Sequence, residues 1–451
     1  MTATGKPSSA VIVGLGRTGL SCARHLRALG WRIVATDTRE RPPELERFRE
    51  LFPDVPLRLG GLDTGLLDDA VCVVASPGVS LAEPFFADAR ARGLEIVGDI
   101  EMFARVVDAP VVGITGTNGK STVTTLVGRM AARAGVKVRV GGNLGEPALD
   151  LLAAAHRESQ ATQLYVLELS SFQLETATSL DLQAATVLNV SPDHLDRYPS
   201  VEAYADAKAR IFARCDTAVI NLDDPLVVAM PRPGQRTLSF SLRASIGADY
   251  AVATRGGDWW LTRRAEPLLA ISAMKIQGLH NAANALAALA LGEALGLPLP
   301  QMLTELAEFP GLPHRSQWVA DVAGVTYIND SKGTNVGATL AAVGGMKGPL
   351  VIIAGGDGKN QDFSPLADAF RGKVRDAVLI GRDAPAIARV LRDVCTVEIC
   401  ASLEDAVRAA ARSAKPGDVV LLSPACASLD MFRDYTHRGA VFTKAVKELA
   451  A

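Results

Sequence analysis

Short apolar runs alternate with amphipathic stretches along almost the whole chain. In the first hundred residues the runs are AVIVGL, RIVATD, CVVAS and EIVG, the first beginning at Ala10. Each is short, rich in β-branched side chains and bounded by glycine or polar residues, so each predicts a buried strand. Helical spacing fills most of the gaps. A second series, VVGITG, LYVLELS, AATVLNV and TAVIN, begins after Pro110. From Thr237 to Ser272 the pattern changes to short alternating segments, and Gly256-Gly257-Asp258 predicts a hairpin. The stretch NAANALAALALGEAL then predicts a helix. A third series, VTYIND, LVIIAGG, DAVLIG, TVEIC and DVVLLSP, follows FPGLPHR.

Strands that alternate with helices predict α/β architecture with parallel sheets. Three such units are expected, at 1–98, 99–311 and 312–451, with a small antiparallel section in the second. A length of 451 residues suits two to four domains.

Composition narrows the function classes. The net charge of −2 excludes a global basic field for nucleic acid or an anionic membrane. The first ten residues are polar and lack the apolar core of a signal peptide. No apolar run approaches the roughly 18 residues that span a bilayer. A cytoplasmic location is therefore expected. The six cysteines form no Cys-x-x-Cys pair, so reduced, mostly buried thiols are expected rather than a zinc site.

Two glycine loops carry the candidate chemistry. Gly14, Gly16 and Gly19 fit G-x-G-x-x-G after a strand, and Asp37 ends the next strand, the outline of a dinucleotide site. In the second loop, GITGTNGKST, residues Gly116, Gly119, Lys120 and Ser121 stand where a phosphate loop needs them. Glycines admit backbone N–H groups to phosphate, the lysine adds charge, and the serine hydroxyl can ligate Mg2+. The position of the first glycine in the P-loop pattern is Ile114. One active site seldom needs both NAD and ATP, so the first loop is expected to hold another diphosphate.

Further polar residues fall at strand ends, where open α/β sheets bind ligands. Glu168 ends LYVLE, and Asp193, His194 and Asp196 follow a later strand. Glu168 and the His194 region can face the phosphate loop around a divalent cation, Mg2+ or Mn2+. In the third unit Asp330, Ser331, Lys332 and Thr334 follow one strand, Lys359 another, and Ser423 and Ser428 the last. Arg315 sits at the linker, where an arginine can clamp phosphate across a domain gap. For Lys208, spacing alone predicts a solvated helix lysine.

Together these stretches resemble the Mur ligase family. The matching segments run in the family's order over almost the whole chain: GLGRTGLSC, TDTRE, ASPG, GDIE, GITGTNGKSTVTTL, GGNLG, LELSSFQLE, NVSPDHLDRY, HNAANALAAL, GLPHR, NDSKGTN, GGDGK and SPACASLDMF. TGTNGKST alone marks the wider superfamily that includes folylpolyglutamate synthases. LELSSFQLE, NDSKGTN and SPACASLD narrow the resemblance to members that add D-glutamate. Ile114 is no departure from the family's own loop pattern, whereas Gly333 stands where alanine is expected.

The resemblance implies a Rossmann-like first domain that binds a UDP-sugar, a P-loop-type ATPase domain and a Rossmann-like glutamate domain. The reaction implied is ATP-dependent addition of D-glutamate to the carboxylate of UDP-N-acetylmuramoyl-L-alanine, in peptidoglycan precursor synthesis. Gly14, Leu15, Gly16 and Thr18 would receive the UDP diphosphate. Asp37, Thr38 and Arg39 would surround uridine, with Ser76 and Gly78 beside it. Asn143 and His194 would approach the sugar-linked substrate. Gly116, Thr117, Asn118, Gly119, Lys120, Ser121 and Thr122 would bind ATP phosphates, Asn281 and Asn284 would line the adenine pocket, and Arg315 and Asp330 would reach the nucleotide. Ser121, Glu168, His194 and a carbamylated Lys208 would serve Mg2+, and Lys120 with these residues would carry the chemistry. Lys332, Thr334, Lys359, Ser428, Leu429 and Tyr435 would take glutamate, Tyr435 standing where phenylalanine is common. A site complete in one chain implies a monomer without nucleic-acid or membrane partners.

Three other readings stay open at this level. An NAD-dependent oxidoreductase would use Gly14–Gly19 but leave Lys120 without a role. A folylpolyglutamate-type ligase, or ligation of L-glutamate, would keep the chemistry and change a substrate. A non-catalytic nucleotide-binding regulator would bind ATP and release no phosphate.

Overall fold

The computed structural model describes residues 8–158, 161–276, 278–346 and 348–449. Three α/β domains follow one another, each built on its own sheet. The first contains β1 (Ser9–Val13), β2 (Arg32–Asp37), β3 (Leu57–Leu59), β4 (Cys72–Ala75) and β5 (Glu95–Val97). Their order is β3-β2-β1-β4-β5, all parallel. The two-residue period of β1 sends Ala10 and Ile12 into one apolar layer, and Val11 and Val13 into another.

The central sheet has nine strands: β6 (Val111–Thr115), β7 (Val138–Gly142), β8 (Leu164–Glu168), β9 (Leu182–Val187), β10 (Cys215–Asn221), β11 (Arg236–Ser241), β12 (Tyr250–Arg255), β13 (Asp258–Arg263) and β14 (Glu266–Ala270). Their order is β14-β13-β12-β11-β10-β9-β6-β8-β7. From β7 to β12 the pairs are parallel, and β12-β13-β14 is antiparallel. The expected hairpin joins Arg255 to Asp258 through Gly256 and Gly257, whose φ values of 58° and 86° suit a two-residue turn. Helix Lys120–Arg133 and the alanine-rich helix Leu279–Ala294 cover one face.

The third sheet contains β15 (Gln317–Val322), β16 (Val325–Asn329), β17 (Leu350–Gly355), β18 (Val374–Ile380), β19 (Thr396–Ile399) and β20 (Val419–Leu422), in the order β15-β16-β20-β17-β18-β19. Only β15 is antiparallel to its neighbour. The short edge strand β3, the glycine-ended β7 and the half-exposed β15 were not expected from the apolar pattern.

Two kinds of joint position the domains. One apolar cluster runs through the first and central domains, with Phe103 edge-on to Tyr165 at 5.2 Å. Around it Gln173 Nε2 donates to Asp99 Oδ2 (2.8 Å), and Glu101 accepts the backbone N–H groups of Thr178 and Ser179 (2.7 and 2.9 Å). The third domain meets the central one through polar contacts at the cleft described next. No helix among the described residues is long and apolar enough to cross a membrane. All six cysteines are free, four of them buried.

Candidate functional site

In the central sheet β6 lies between β8 and β9, with Ile114 paired to Glu168 and Thr115 to Val187. The loops leaving these three strands therefore share one edge. The loop after β6 turns into helix Lys120–Arg133 through Gly119 at φ 85°. A Cβ there would sit 2.3 Å from Asn284 Oδ1, so both conformation and space require glycine. Lys120 folds back over the loop and donates to the carbonyls of Gly116 (2.8 Å) and Thr117 (2.9 Å). Burial lowers its pKa.

Ser121 Oγ donates to Glu168 Oε2 at 2.6 Å, and Asn143 Nδ2 donates to Glu168 Oε1 at 2.7 Å. From the third domain's linker, Arg315 Nη2 donates to the same Ser121 oxygen at 2.6 Å. Among the described residues no three His, Cys, Asp or Glu side chains are placed to hold a metal. The hydroxyl and carboxylate oxygens of Ser121 and Glu168 still suit Mg2+, which takes few protein ligands and completes its shell with phosphate and water. His194 lines the cleft without joining that pair. Its ring packs edge-on to Phe172 (5.0 Å), and its φ of 55° is unusual for a residue other than glycine. Burial lowers its pKa.

Lys208 departs from the solvated lysine that spacing alone predicts. It is 1 % exposed, donates to the Gly116 carbonyl at 3.1 Å and lies 4.2 Å from the ring centre of Tyr204. Burial, reinforced by Lys120, drives its pKa far below the ordinary lysine value. Tyr204 precedes it by one helical turn, so the two share a face.

The third domain closes the cleft. Lys359 Nζ lies 3.2 Å from Asp193 Oδ1, and Asn335 Nδ2 donates to Asp193 Oδ2 at 3.2 Å. Burial acts upward on the Asp193 pKa, but Lys359, His194 and Asn335 bring it below the usual value. Lys332 Nζ sits 4.0 Å from the Tyr435 ring centre. Burial and the neighbouring Arg315 and Lys120 push its pKa down to about 8. Asp330 accepts from Ser316 N (3.0 Å) and Ser423 Oγ (2.9 Å), and burial raises its pKa to about 6.

Two chambers meet at Asn118, Gly119, Arg315 and Lys332. One, of about 470 Å3, also reaches Gly78, Thr117, Lys120, Ser121, Asn143, Glu168, His194, Lys208, Thr334 and Lys359. The other, of about 300 Å3, is lined by Thr122, Asn281, Asn284 and Asp330, among others. Residues from all three domains thus converge on one cleft, dominated by cations.

Other expected residues lie apart from it. Leu429 is 72 % exposed, neither it nor Ser428 lines either chamber, and Tyr435 reaches the cleft only by way of Lys332. In the first domain Gly14 has φ 98°, and a Cβ on Gly19 would lie 1.9 Å from the Gly14 carbonyl oxygen. Gly16 is open, with nothing within 4 Å of a Cβ. Ser76 Oγ donates to the Gly14 carbonyl (2.9 Å). Asp37 is fully buried and already accepts from Leu15 N (2.7 Å) and, at 2.9 Å, from Arg39 Nε and Nη2. Its carboxylate braces the loop, while Thr38 and Arg39 are exposed beside it and Thr18 is half-buried.

Sequence reasoning missed Tyr204, Phe172, Asn335 and Arg438. Phe172 and Asn335 lie inside motifs already singled out, and Tyr204 could have been found by its four-residue spacing to Lys208. Arg438 had no local sign. Fully buried, it donates to Ser331 Oγ (3.0 Å), Ser331 O (2.7 Å) and Cys426 O (3.1 Å), tying the Lys332 loop to the Ser428 loop.

Comparison with known proteins matches this geometry to named families and relatives. Residues 8–98 match the Mur ligase MurD-like N-terminal domain, 114–292 the Mur ligase middle domain and 314–426 the Mur ligase glutamate ligase domain. The UDP-N-acetylmuramoylalanine–D-glutamate ligase of Nitrosococcus oceani is 51 % identical over 444 residues, covering 98 % of this chain and 97 % of its own. Those of Methylococcus capsulatus and Marinobacter nauticus are 51 % and 50 % identical, over 98 % and 97 % of this chain and 95 % and 98 % of theirs. Among solved structures, the UDP-N-acetylmuramate-alanine ligase of Thermotoga maritima shares the fold, with a TM-score of 0.62 and 19 % identity over 98 % of this chain and 99 % of that one. A pseudomurein peptide ligase type C from Methanothermus fervidus does so with a TM-score of 0.61 and 17 % identity, over 98 % and 100 %.

Proposed function

The chain belongs to the Mur ligase family, and from that premise we propose that it joins D-glutamate to the carboxylate of UDP-N-acetylmuramoyl-L-alanine, converting ATP to ADP and phosphate. The observation that carries this reading is the convergence of phosphate-loop, carboxylate and third-domain cations on one cleft, in a chain half identical to D-glutamate ligases over nearly its full length.

An amide does not form readily from a free carboxylate in water, because oxide is a poor leaving group. In the proposed reaction the substrate carboxylate attacks the γ-phosphorus of ATP in line, giving an acyl phosphate and ADP. Lys120 and Arg315 would offset the charge that gathers on the transferring phosphoryl oxygens. Mg2+, held by Ser121 and Glu168, would supply further neutralisation there. The glutamate amine then attacks the acyl carbon, and the tetrahedral intermediate expels phosphate. The Asp193–Lys359 and Asp193–Asn335 contacts would keep water from the acyl phosphate by holding the third domain over it. Lys332, Thr334 and Lys359 would receive the glutamate carboxylates.

Lys208 fits a carbamate. Carbamylation needs an uncharged amine: its nitrogen bonds to the carbon of CO2, a proton leaves to water, and an anion replaces a cation. Burial already favours the neutral amine at Lys208. The new anion would stand beside Lys120 and help orient the metal. Gly14, Gly16 and Gly78 would meet the UDP-sugar in the first domain.

Phosphate release from Mg-ATP with UDP-N-acetylmuramoyl-L-alanine, compared with D-glutamate, L-glutamate and no amino acid, tests the proposal. Release with D-glutamate alone is expected. Release with L-glutamate alone would overturn the stereochemistry, and no release with either would remove this acceptor.

A further inference from the structure

Away from the catalytic cleft, a cavity of about 700 Å3 opens between helix Arg17–Ala28 of the first domain and helix Ala148–Ala155 of the central domain. This is the size range of small-molecule sites, roughly 300–1,000 Å3. Its inner wall is apolar, from Leu20, Leu149 and Leu152, and exposed Leu29 and Val106 stand at its rim. Arg47 and Arg157 line it with no carboxylate partner among the described residues, beside His25 and His156. Arg24, by contrast, is engaged by Asp150 at 2.5 Å. The carboxylates of Glu44 and Glu146 also face the cavity, so the four lining arginines exceed the three lining acids by one charge before either histidine is protonated. Ser21 lies at the base, fully buried, and its Oγ has no hydrogen-bond partner. Burial and the neighbouring His156 lower the pKa of His25, which favours the neutral ring, able to donate at one nitrogen and accept at the other.

The same groove is wired to both halves of the proposed reaction. Arg17 directly follows Gly16 of the first glycine loop, and its Nη2 donates to the Gly145 carbonyl at 2.6 Å. Gly145 lies two residues beyond Asn143, which holds Glu168 Oε1 through its side chain and the Glu168 carbonyl through its own N–H (2.8 Å). Glu146 and Pro147, which continue that loop, form part of the groove wall, and the Glu146 carbonyl accepts from Gly142 N at 2.8 Å. A molecule that sets the distance between the two helices therefore bears on the first glycine loop and on the Asn143–Glu168 pair.

We propose that this interdomain groove is a second ligand site, for a small organic anion with an apolar body, and that its occupancy is coupled to the catalytic cleft through Arg17 and the 142–147 loop. The coupling rests on the ligase reading of the cleft; the site itself does not. Arg47 and Arg157, without a carboxylate partner among the described residues, supply the anion's contacts, and the leucines supply the apolar wall.

The full-length protein is titrated with 1-anilinonaphthalene-8-sulfonate, an amphipathic anion that fluoresces in apolar surroundings, with a non-hydrolysable ATP analogue and UDP-N-acetylmuramoyl-L-alanine held at saturation. Saturable binding is expected to persist under these conditions. Arg157→Glu is expected to weaken it by about tenfold, the worth of one charge-assisted contact. Ala153→Trp, at an exposed position on the groove wall, is expected to fill the space and abolish it. In separate titrations of the UDP-sugar with and without saturating probe, occupancy is expected to shift its affinity by about fivefold, and Arg17→Ala to remove that shift while probe binding, though weakened by the loss of one lining charge, stays saturable. Displacement by the cleft ligands, or binding unchanged in both Arg157→Glu and Ala153→Trp, would overturn the site. Binding without any shift in UDP-sugar affinity would overturn the coupling. Phosphate release by the unmodified protein without probe reads the ligase assignment separately.

Discussion

The guanidinium of Arg315 lies 2.6 Å from the hydroxyl of Ser121, the residue after the phosphate-loop lysine. It reaches there from the linker into the third domain, so the charge it brings over the phosphate loop depends on how that domain is placed. Arg315→Ala is expected to lower kcat/KM by about 100-fold or more, the scale of one preorganised donor to developing charge. Arg315→Lys should recover little of that, because an ammonium cannot reproduce the planar fork. Steady-state phosphate release measures both. Near-native turnover in Arg315→Ala would separate the arginine from catalysis.

Lys208 makes the second case. Its amine is buried against Tyr204 and the Gly116 carbonyl, and burial favours the neutral form. Incubation with 13C-bicarbonate is expected to give a carbamate resonance in the native protein that is absent from Lys208→Arg, and Lys208→Arg is expected to lose ligation. A native protein without that resonance, yet fully active, would exclude the carbamate.

The two glycine loops test whether the ligands divide between domains. A Cβ on Gly19 would fall 1.9 Å from the Gly14 carbonyl oxygen, so Gly19→Ala must push the helix away from the glycine loop after β1, at a cost of about 1–3 kcal/mol. UDP-sugar affinity is expected to fall at least about tenfold while ATP affinity stays within about twofold. Lys120→Ala should do the reverse and abolish ligation. Calorimetric titration of each variant with each ligand gives the answer, and equal loss of both ligands in a folded variant would refute the division.

Asp99 links the first joint to pH. It is buried, and burial raises its pKa to about 6 despite hydrogen bonding from the Gln173 side chain and the nearby backbone N–H groups of Ile100 and Asp99. A carboxyl whose pKa is higher in the folded state than in the unfolded state adds its stability below the unfolded value, near 4. That contribution is lost as pH rises through about 6. Asp99→Asn removes the ionisation and keeps an oxygen for Gln173. It is therefore expected to raise Tm at pH 8, by the equivalent of at most about 3 kcal/mol, and to add nothing at pH 4. Thermal unfolding at the two pH values tests this, and a gain at pH 4 equal to that at pH 8 would rule out titration as the cause.

Much of this arrangement was legible because strands buried on both faces leave continuous apolar runs, and their ends mark the ligand edge. VVGIT, LYVLE and AATVLNV became β6, β8 and β9, side by side, and the glycine loop after the first is where phosphate chemistry was expected. What escaped was either short, exposed or fixed by distant partners. Gln317–Val322 is half-exposed and carries a register shift between Trp318 and Ala320, so its alternation is broken. The burial of Lys208 depends on a carbonyl 92 residues away, which no local pattern encodes. Asp37 was expected beside uridine together with Arg39, and the bonds by which Arg39, two residues on, engages its carboxylate were not legible in the strand pattern.

Tyr435 offers the last prediction. Its ring stands 4.0 Å from the Lys332 ammonium, where an electron-rich face attracts a cation. Lys332 lines both chambers, and of its charged neighbours Arg315, Lys120 and Lys359 repel it while Glu168 attracts it. The ring is the favourable neighbour in direct contact with the ammonium, and phenylalanine supplies the same face. Tyr435→Phe is expected to leave the KM for D-glutamate within about twofold. Tyr435→Leu removes the ring and should raise that KM by about tenfold, in keeping with roughly 1–2 kcal/mol for a desolvated cation over an aromatic face. The KM for ATP should hold in both variants, because the tyrosine touches neither the phosphate loop nor the adenine chamber. If Tyr435→Phe lost as much as Tyr435→Leu, the hydroxyl rather than the ring would be the group that matters, and the cation–ring contact would not be what positions Lys332.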